Sequence, residues 1–181
     1  MAVLIECLNV VVRRDAIAAR MRGGWTEFVG LVPNQSLCAD DHLARVGFMA
    51  PSDVGEFLDL LGQAGLVAFD GTTCRDMVVI DAHTGTTRPC TWVDVYATRS
   101  YDGGSIIACS PAGWAGGRVS VPVGWAYESS LSRAHSYIPL EHADEEMEFL
   151  RHGTDGFDVF WDKRKQREVV VGRTGCEPLV R

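Results

Sequence analysis

The chain of 181 residues lacks the segments that mark an exported or membrane protein. Its N-terminal apolar stretch carries Glu6 and has neither a basic leader nor a site for signal peptidase. No segment reaches about 18 uninterrupted apolar residues, the length that a membrane-spanning helix needs. We therefore expect a soluble, cytoplasmic protein with no membrane partner.

Low-complexity tracts and linkers rich in proline or serine are also missing. Hydrophobic residues make up 46% of the chain and charged residues 23%, close to the averages for globular proteins. A chain of this length can bury a full core but is short for two domains of about 100 to 150 residues each. The sequence predicts one compact domain over residues 1–181.

Basic charge is scarce. Seventeen Lys and Arg stand against twenty-four Asp and Glu, which gives a formal net charge of −7. Such a charge repels phosphate backbones and anionic lipids, so we expect no nucleic-acid partner. A basic protein partner is easier to reconcile with this charge.

The familiar spacings of metal and catalytic sites are absent. No Cys-x-x-Cys, His-Glu-x-x-His, Gly-x-Ser-x-Gly, EF-hand or dinucleotide fingerprint is present, so we expect no metal and no cofactor. Without a secretion signal, reduced thiols are the expectation for the cysteines. These are Cys7, Cys38, Cys74, Cys90, Cys109 and Cys176.

Hydrophobic periodicity predicts the elements of the first half. Residues 3–12 are apolar on both alternating faces, which is typical of a strand covered on both sides. Asp15 as a cap predicts a helix that Gly23 and Gly24 stop or kink before residues 25–33 resume it. A hairpin of residues 36–39 and 43–49 follows, and then a helix from a Ser52 cap to Gly65.

Strand-like runs dominate the second half, with turn signals between them. A further amphipathic helix is predicted over residues 142–152, before a closing hairpin of 157–161 against 169–171. The predicted strands are 66–69, 77–81, 91–96, 105–109 and 119–123.

These elements predict an α+β fold with a mainly antiparallel sheet and two or three packed helices. The order of the first half, strand, helix, hairpin, helix, strand, matches the split βαβ pattern of ferredoxin-like sandwiches. That architecture serves many unrelated functions, so it indicates none.

Reactive side chains are densest from Cys38 to His42, where a thiol, two aspartates and an imidazole fall within five residues. As a metal site the cluster would need distant ligands, and as a nucleophile site Cys38 would need His42 at its sulfur. A polar hairpin turn at Asp40 and Asp41 beside a buried cysteine is the more common use of such residues.

Aromatic and hydroxyl side chains are frequent in the middle of the chain, where they can line a pocket or form an interface. Trp92 and Trp125 flank strand-like runs that favour burial. Trp114 lies in a glycine-rich stretch and is the best candidate for an exposed anchor, with Tyr127 as a second candidate for binding.

Three functional hypotheses remain open. The first is a non-enzymatic binding module of the inhibitor or immunity type that takes a basic protein partner. The second is a small enzyme or ligand sensor with a site near Cys38, Asp41 and His42. The third is a homodimer formed by edge-to-edge pairing of strands such as 169–171.

Overall fold

Two β-sheets and a layer of helices form the body of the protein. The computed structural model describes residues 1–114, 116–134, 147–152, 157–163 and 166–172. The helices are α1 Arg14–Arg20, α2 Gly24–Leu31, α3 Pro51–Gln63 and a single turn, α4 Leu131–Ala134. The strands are β1 Ala2–Ile5, β2 Leu8–Arg13, β3 Cys38–Ala39, β4 Leu43–Phe48, β5 Phe69–Asp70, β6 Thr73–Cys74, β7 Met77–Asp81, β8 Gly85–Thr86, β9 Val93–Arg99, β10 Ser105–Pro111, β11 Val119–Ser120, β12 Met147–His152, β13 Phe157–Asp162 and β14 Arg167–Gly172.

Sheet order places β2 at the centre of the fold. The five-stranded sheet runs β3-β4-β2-β7-β8 and the four-stranded sheet runs β11-β1-β10-β9. Val10 and Val12 pack on the helices, in a core that also contains Phe28 of α2 and Phe57 of α3. Val11 points the other way and packs against the four-stranded sheet. Burial on both faces, predicted for this segment, is confirmed.

The prediction of one continuous strand over residues 3–12 is wrong. Cys7 has φ of 52°, a left-handed conformation that is costly for a side chain other than glycine. The turn there sends β1 into the four-stranded sheet, where it pairs with β10, and β2 into the five-stranded sheet. We call Glu6 and Cys7, which link the two sheets, the joint.

The early helices follow the prediction in position but not in capping. The predicted break is confirmed, since α1 ends at Arg20 and α2 begins at Gly24, whose φ is +53°. Asp15 lies inside the first turn of α1 rather than at its cap. Ser52 is not a cap either, because α3 already begins at Pro51. Proline suits the first turn of a helix, where the lack of an N–H group costs no hydrogen bond.

Among the later strands, β7, β9, β10 and β11 correspond to predicted segments, although β11 has only two residues. The predicted strand over residues 66–69 is wrong except for Phe69. Leu66 instead packs against the helical core, and its N–H bonds to Leu61 O at the end of α3. Burial of Leu66 under the helix therefore takes precedence over strand pairing.

The predicted helix over residues 142–152 is wrong from Met147 onward, and residues 142–146 lie outside the described residues. Met147–His152 forms β12, which pairs with β13, and β13 pairs with β14 as the predicted closing hairpin. Phe149 contacts Phe160 across the pair, with ring centroids 5.6 Å apart. Pairing with a distant strand outweighs local helical spacing here.

The α+β class is confirmed, and the ferredoxin-like start is not. The predicted first strand is divided between two sheets, and β8 adds a fifth strand to the sheet of the first half. Strand β14 lies at an edge of the three-stranded sheet β12-β13-β14, and the homodimer stays a prediction. Among the described residues, no helix combines the length and the hydropathy that crossing a bilayer requires.

Candidate functional site

Asp40 shapes the hairpin that carries the Cys38-to-His42 cluster. The backbone N–H groups of His42 and Leu43 both donate to Asp40 Oδ1, at 2.7 Å each. Asp40 is buried, and its Oδ2 has no hydrogen-bond partner among the described residues. This is the turn that the sequence predicts at Asp40 and Asp41.

Cys38 and His42 point to different environments. The Cys38 side chain is buried between the two sheets, whereas His42 is exposed. Burial raises the pKa of the Cys38 thiol, and the nearby Arg45 guanidinium only partly opposes that effect. A thiol that stays protonated is a weak nucleophile. The geometry therefore lends no support to Cys38 as a nucleophile.

Trp114 is an exposed aromatic side chain on a firmly held loop. It is 53% exposed, and its ring lies edge-on to the His42 imidazole with centroids 4.7 Å apart. The buried Ser110 hydroxyl donates to Trp114 O at 2.8 Å, and Gly113 N–H donates to Asp94 Oδ2 at 2.8 Å. These bonds hold the backbone that carries the indole, and the ring contact with His42 supports the indole on one side.

A cavity of about 290 Å³ lies beside the exposed side of the hairpin, and both polar and apolar side chains line it. Arg13 binds Asp15 through two hydrogen bonds, which lower the pKa of the Asp15 carboxyl. Asp41 is exposed and forms no such pair within the described residues. The cavity is lined by Arg13, Asp15, Asp41, His42, Leu43, Trp92 and Pro111. We call Asp41, His42, Trp114 and this cavity the Trp114 surface.

Tyr127 belongs to a different part of the molecule. It is partly buried against the inter-sheet core and lies 6.4 Å from Trp125, measured between ring centroids. Its ring covers Gly104, at the start of β10. The structure therefore brings Trp114 to His42 and Asp41 but places Tyr127 with Trp125.

Replacing Gly104 with alanine should lower the free energy of unfolding by about 1–3 kcal/mol, because an added Cβ would overlap the Tyr127 ring and displace it. Urea denaturation measures the change. Gly62→Ala in α3 is the matched control, since a Cβ there meets nothing within 4 Å, and it should be neutral or slightly stabilising. Equal stability of the two variants would show that the Tyr127 ring can move away from Gly104 without loss of stability.

A polar network at the joint involves residues that the sequence analysis did not select. Strand alternation places Asn9 of β2 and Arg45 of β4 on the face between the sheets. Arg45 Nε donates to Asn9 Oδ1 at 2.5 Å, and Asn9 Nδ2 donates to Cys7 O and to Ile80 O at 3.1 Å each. Both side chains are buried, so these bonds fix the joint.

Glu6 fastens residues 121–134, which we call the cover segment, over the joint. Glu6 Oε1 accepts hydrogen bonds from Ser132 N at 2.9 Å and from Ser132 Oγ at 2.6 Å. Its Oε2 accepts one from Trp125 Nε1 at 3.3 Å. Two cavities, of about 270 and 240 Å³, have both Glu6 and Cys7 in their walls.

The sequence did contain a signal for this network. Asn9 and Arg45 are polar residues inside segments that are otherwise apolar on both faces, and buried polar groups need partners. The conformation of Cys7 had no such signal, because glycine, asparagine and aspartate are the residues that usually adopt it.

The part of the chain that the structure describes contains free thiols and no candidate metal site. Cys7, Cys38, Cys74, Cys90 and Cys109 are free thiols, and burial raises the pKa of Cys7 to about 12. No group of three or more His, Cys, Asp or Glu side chains there could hold a metal ion.

Comparisons with protein-family models, curated proteins and solved structures give no match to this chain.

Proposed function

We propose that this protein is a non-enzymatic binding module, of the inhibitor or immunity type, that docks a basic protein partner on the Trp114 surface. The observation that carries the proposal is the half-exposed Trp114 on a loop held by Ser110 and Asp94. Tryptophan is enriched among the few residues that contribute most of the binding energy of an interface. A fixed anchor also loses little conformational entropy on binding.

Charge around the anchor favours a basic partner. The aspartates at positions 15, 41 and 94 are exposed around Trp114 and its cavity, and the whole chain has a formal charge of −7. Asp15 is already paired with Arg13, so Asp41 is the carboxylate at the cavity that can accept a lysine or arginine of the partner. Charge complementarity of this kind increases the association rate and makes it depend on salt.

A capture experiment tests this proposal. Tagged wild-type protein, Trp114→Ala and Tyr101→Ala are used as baits in native cell extract, and bound proteins are quantified by mass spectrometry. Tyr101 is the matched control because it is a fully exposed aromatic outside the Trp114 surface. We expect a basic protein that the wild type and Tyr101→Ala retain and that Trp114→Ala loses at least tenfold. Equal capture by all three baits, or a partner that salt does not release, would contradict the proposal.

The alternative of a small enzyme or ligand sensor near Cys38, Asp41 and His42 rests on the cavity beside Asp41 and His42. The cavity walls do not include Cys38, whose thiol lies in the inter-sheet core. A metabolite that co-purifies in equal amount with the wild-type protein, and not with Asp41→Asn, would favour the sensor over the docking module.

We also propose that the protein works in the cytoplasm. Five described cysteines are free, and Cys74 and Cys90 are close enough for their thiols to interact without being joined. Unjoined neighbouring thiols are typical of a reducing compartment.

A further inference from the structure

Arg45 is a buried cation that forms no ion pair with a carboxylate of the described residues. The residue is 2% exposed. Its acceptors are all neutral oxygens, namely Asn9 Oδ1 at 2.5 Å, Ser36 O at 3.0 Å and Glu6 O at 3.4 Å. No described carboxylate oxygen lies within ion-pair distance of the guanidinium. Because charged groups that proteins bury are normally paired, we expect this guanidinium to bind an anion.

The guanidinium has N–H groups without an acceptor among the described residues, and Arg45 borders a cavity. Of its five N–H groups, the three bonds above use one on each nitrogen, which leaves one N–H on each terminal nitrogen. The group lies over Gly47, where an added Cβ would come within 2.8 Å of Nη2. Arg45 forms part of the wall of the cavity of about 270 Å³ under the cover segment.

The rest of that cavity is suited to a small amphipathic molecule. Met49, Pro122 and Trp125 contribute apolar surface. Glu6 is also in the wall, with its two oxygens already bound by Ser132 and Trp125. Glu6 repels any negative charge in the cavity, and the Arg45 cation offsets the charge of one carboxylate only, so a ligand with two carboxylates is disfavoured. The volume is slightly below the roughly 300–1,000 Å³ of sites for drug-sized ligands.

We propose that this cavity binds a small organic monocarboxylate, with the carboxylate on Arg45 and the apolar body against Met49, Pro122 and Trp125. A planar carboxylate matches the fork geometry of arginine, and charge-assisted bonds of this kind are the stronger hydrogen bonds in proteins. The site is separate from the Trp114 surface and does not depend on the function proposed above.

Isothermal titration of the full-length wild-type protein with three probes tests the ligand class. Hexanoate carries one carboxylate, hexanamide is its uncharged counterpart, and adipate carries two carboxylates. We expect binding of hexanoate, with hexanamide and adipate each at least tenfold weaker. No binding of hexanoate, or equal binding of hexanoate and hexanamide, would overturn the proposal. Tighter binding of adipate would overturn the choice of a monocarboxylate.

Variants then locate the site. Gln35 is exposed and lies in the same wall, so Gln35→Glu should fold normally and weaken hexanoate binding several-fold, whereas Gln35→Ala should not. Arg45→Met should abolish hexanoate binding. If circular dichroism shows that this variant does not fold, the comparison of Gln35→Glu with Gln35→Ala tests the location of the site instead. Unchanged binding by Gln35→Glu would refute the location. Trp114→Ala should bind hexanoate like the wild type, so failure of the docking proposal and failure of this one are distinguishable.

Discussion

Replacing Asn9 with leucine is expected to lower the free energy of unfolding by about 3–5 kcal/mol, although the two side chains have the same number of heavy atoms and the same branching. Asn9 is fully buried and accepts the shortest hydrogen bond of Arg45. Its amide also donates to Cys7 O and Ile80 O, so it connects the joint to β7. Leucine would leave the Arg45 cation without its nearest acceptor, and an unsatisfied buried charge is costly.

A double substitution separates this network from simple packing. Removing both partners of a buried polar pair costs less than removing one of them. The variant Asn9→Leu with Arg45→Leu should therefore be more stable than Asn9→Leu alone, as measured by the urea midpoint. A loss below about 1 kcal/mol for Asn9→Leu would contradict a structural role for the network.

Alkaline pH is expected to destabilise the protein steeply, from about pH 8.5 to about pH 11. Burial raises the pKa of the Cys38 and Cys109 thiols and that of Cys74 to about 11, against about 8.5 in an unfolded chain. Above pH 8.5 the unfolded state therefore binds fewer protons than the folded state, and stability falls as pH rises. Each such thiol contributes up to about 1.4 kcal/mol per pH unit, and below pH 8.5 its contribution is fully present.

Urea denaturation at pH 8, 9 and 10 measures this dependence. The control is Cys109→Ala, which removes a fully buried thiol. Its stability at pH 8 reports only the lost packing, while its slope with pH should be shallower than that of the wild type. Parallel slopes for the two proteins would show that Cys109 does not titrate on unfolding.

Local patterns in the sequence predicted the elements whose partners are near in the chain. The hairpin at Asp40 and the helix α3 follow from turn residues and from apolar spacing, which act within a few residues. Residues 147–152 fit a helical period as well, yet they pair with β13. Hydrophobic periodicity carries no information about that competing partner, because pairing depends on where a distant strand lies.

The candidate sites, too, could be predicted only where they depend on residues that are near in the chain. Exposure of Trp114 could be predicted from its glycine-rich surroundings, but its contact with His42 joins the turn before β4 to the loop after β10 and depends on how the two sheets stack. Arg45 stood out in the sequence only as an arginine within an apolar strand. Its place in a cavity wall depends on the joint and the cover segment, both of which are distant from Arg45 in the sequence.

Site-specific photo-crosslinking tests the central claim, docking of a basic partner at Trp114, most directly. A benzophenone amino acid is placed at Ala112, which is exposed beside Trp114 in the same loop, and in a second protein at Tyr101. We expect illumination in native extract to join one basic protein to position 112 and not to position 101. We also expect Trp114→Ala to remove that product. Crosslinks of equal yield at both positions, or a product that survives Trp114→Ala, would contradict docking at Trp114.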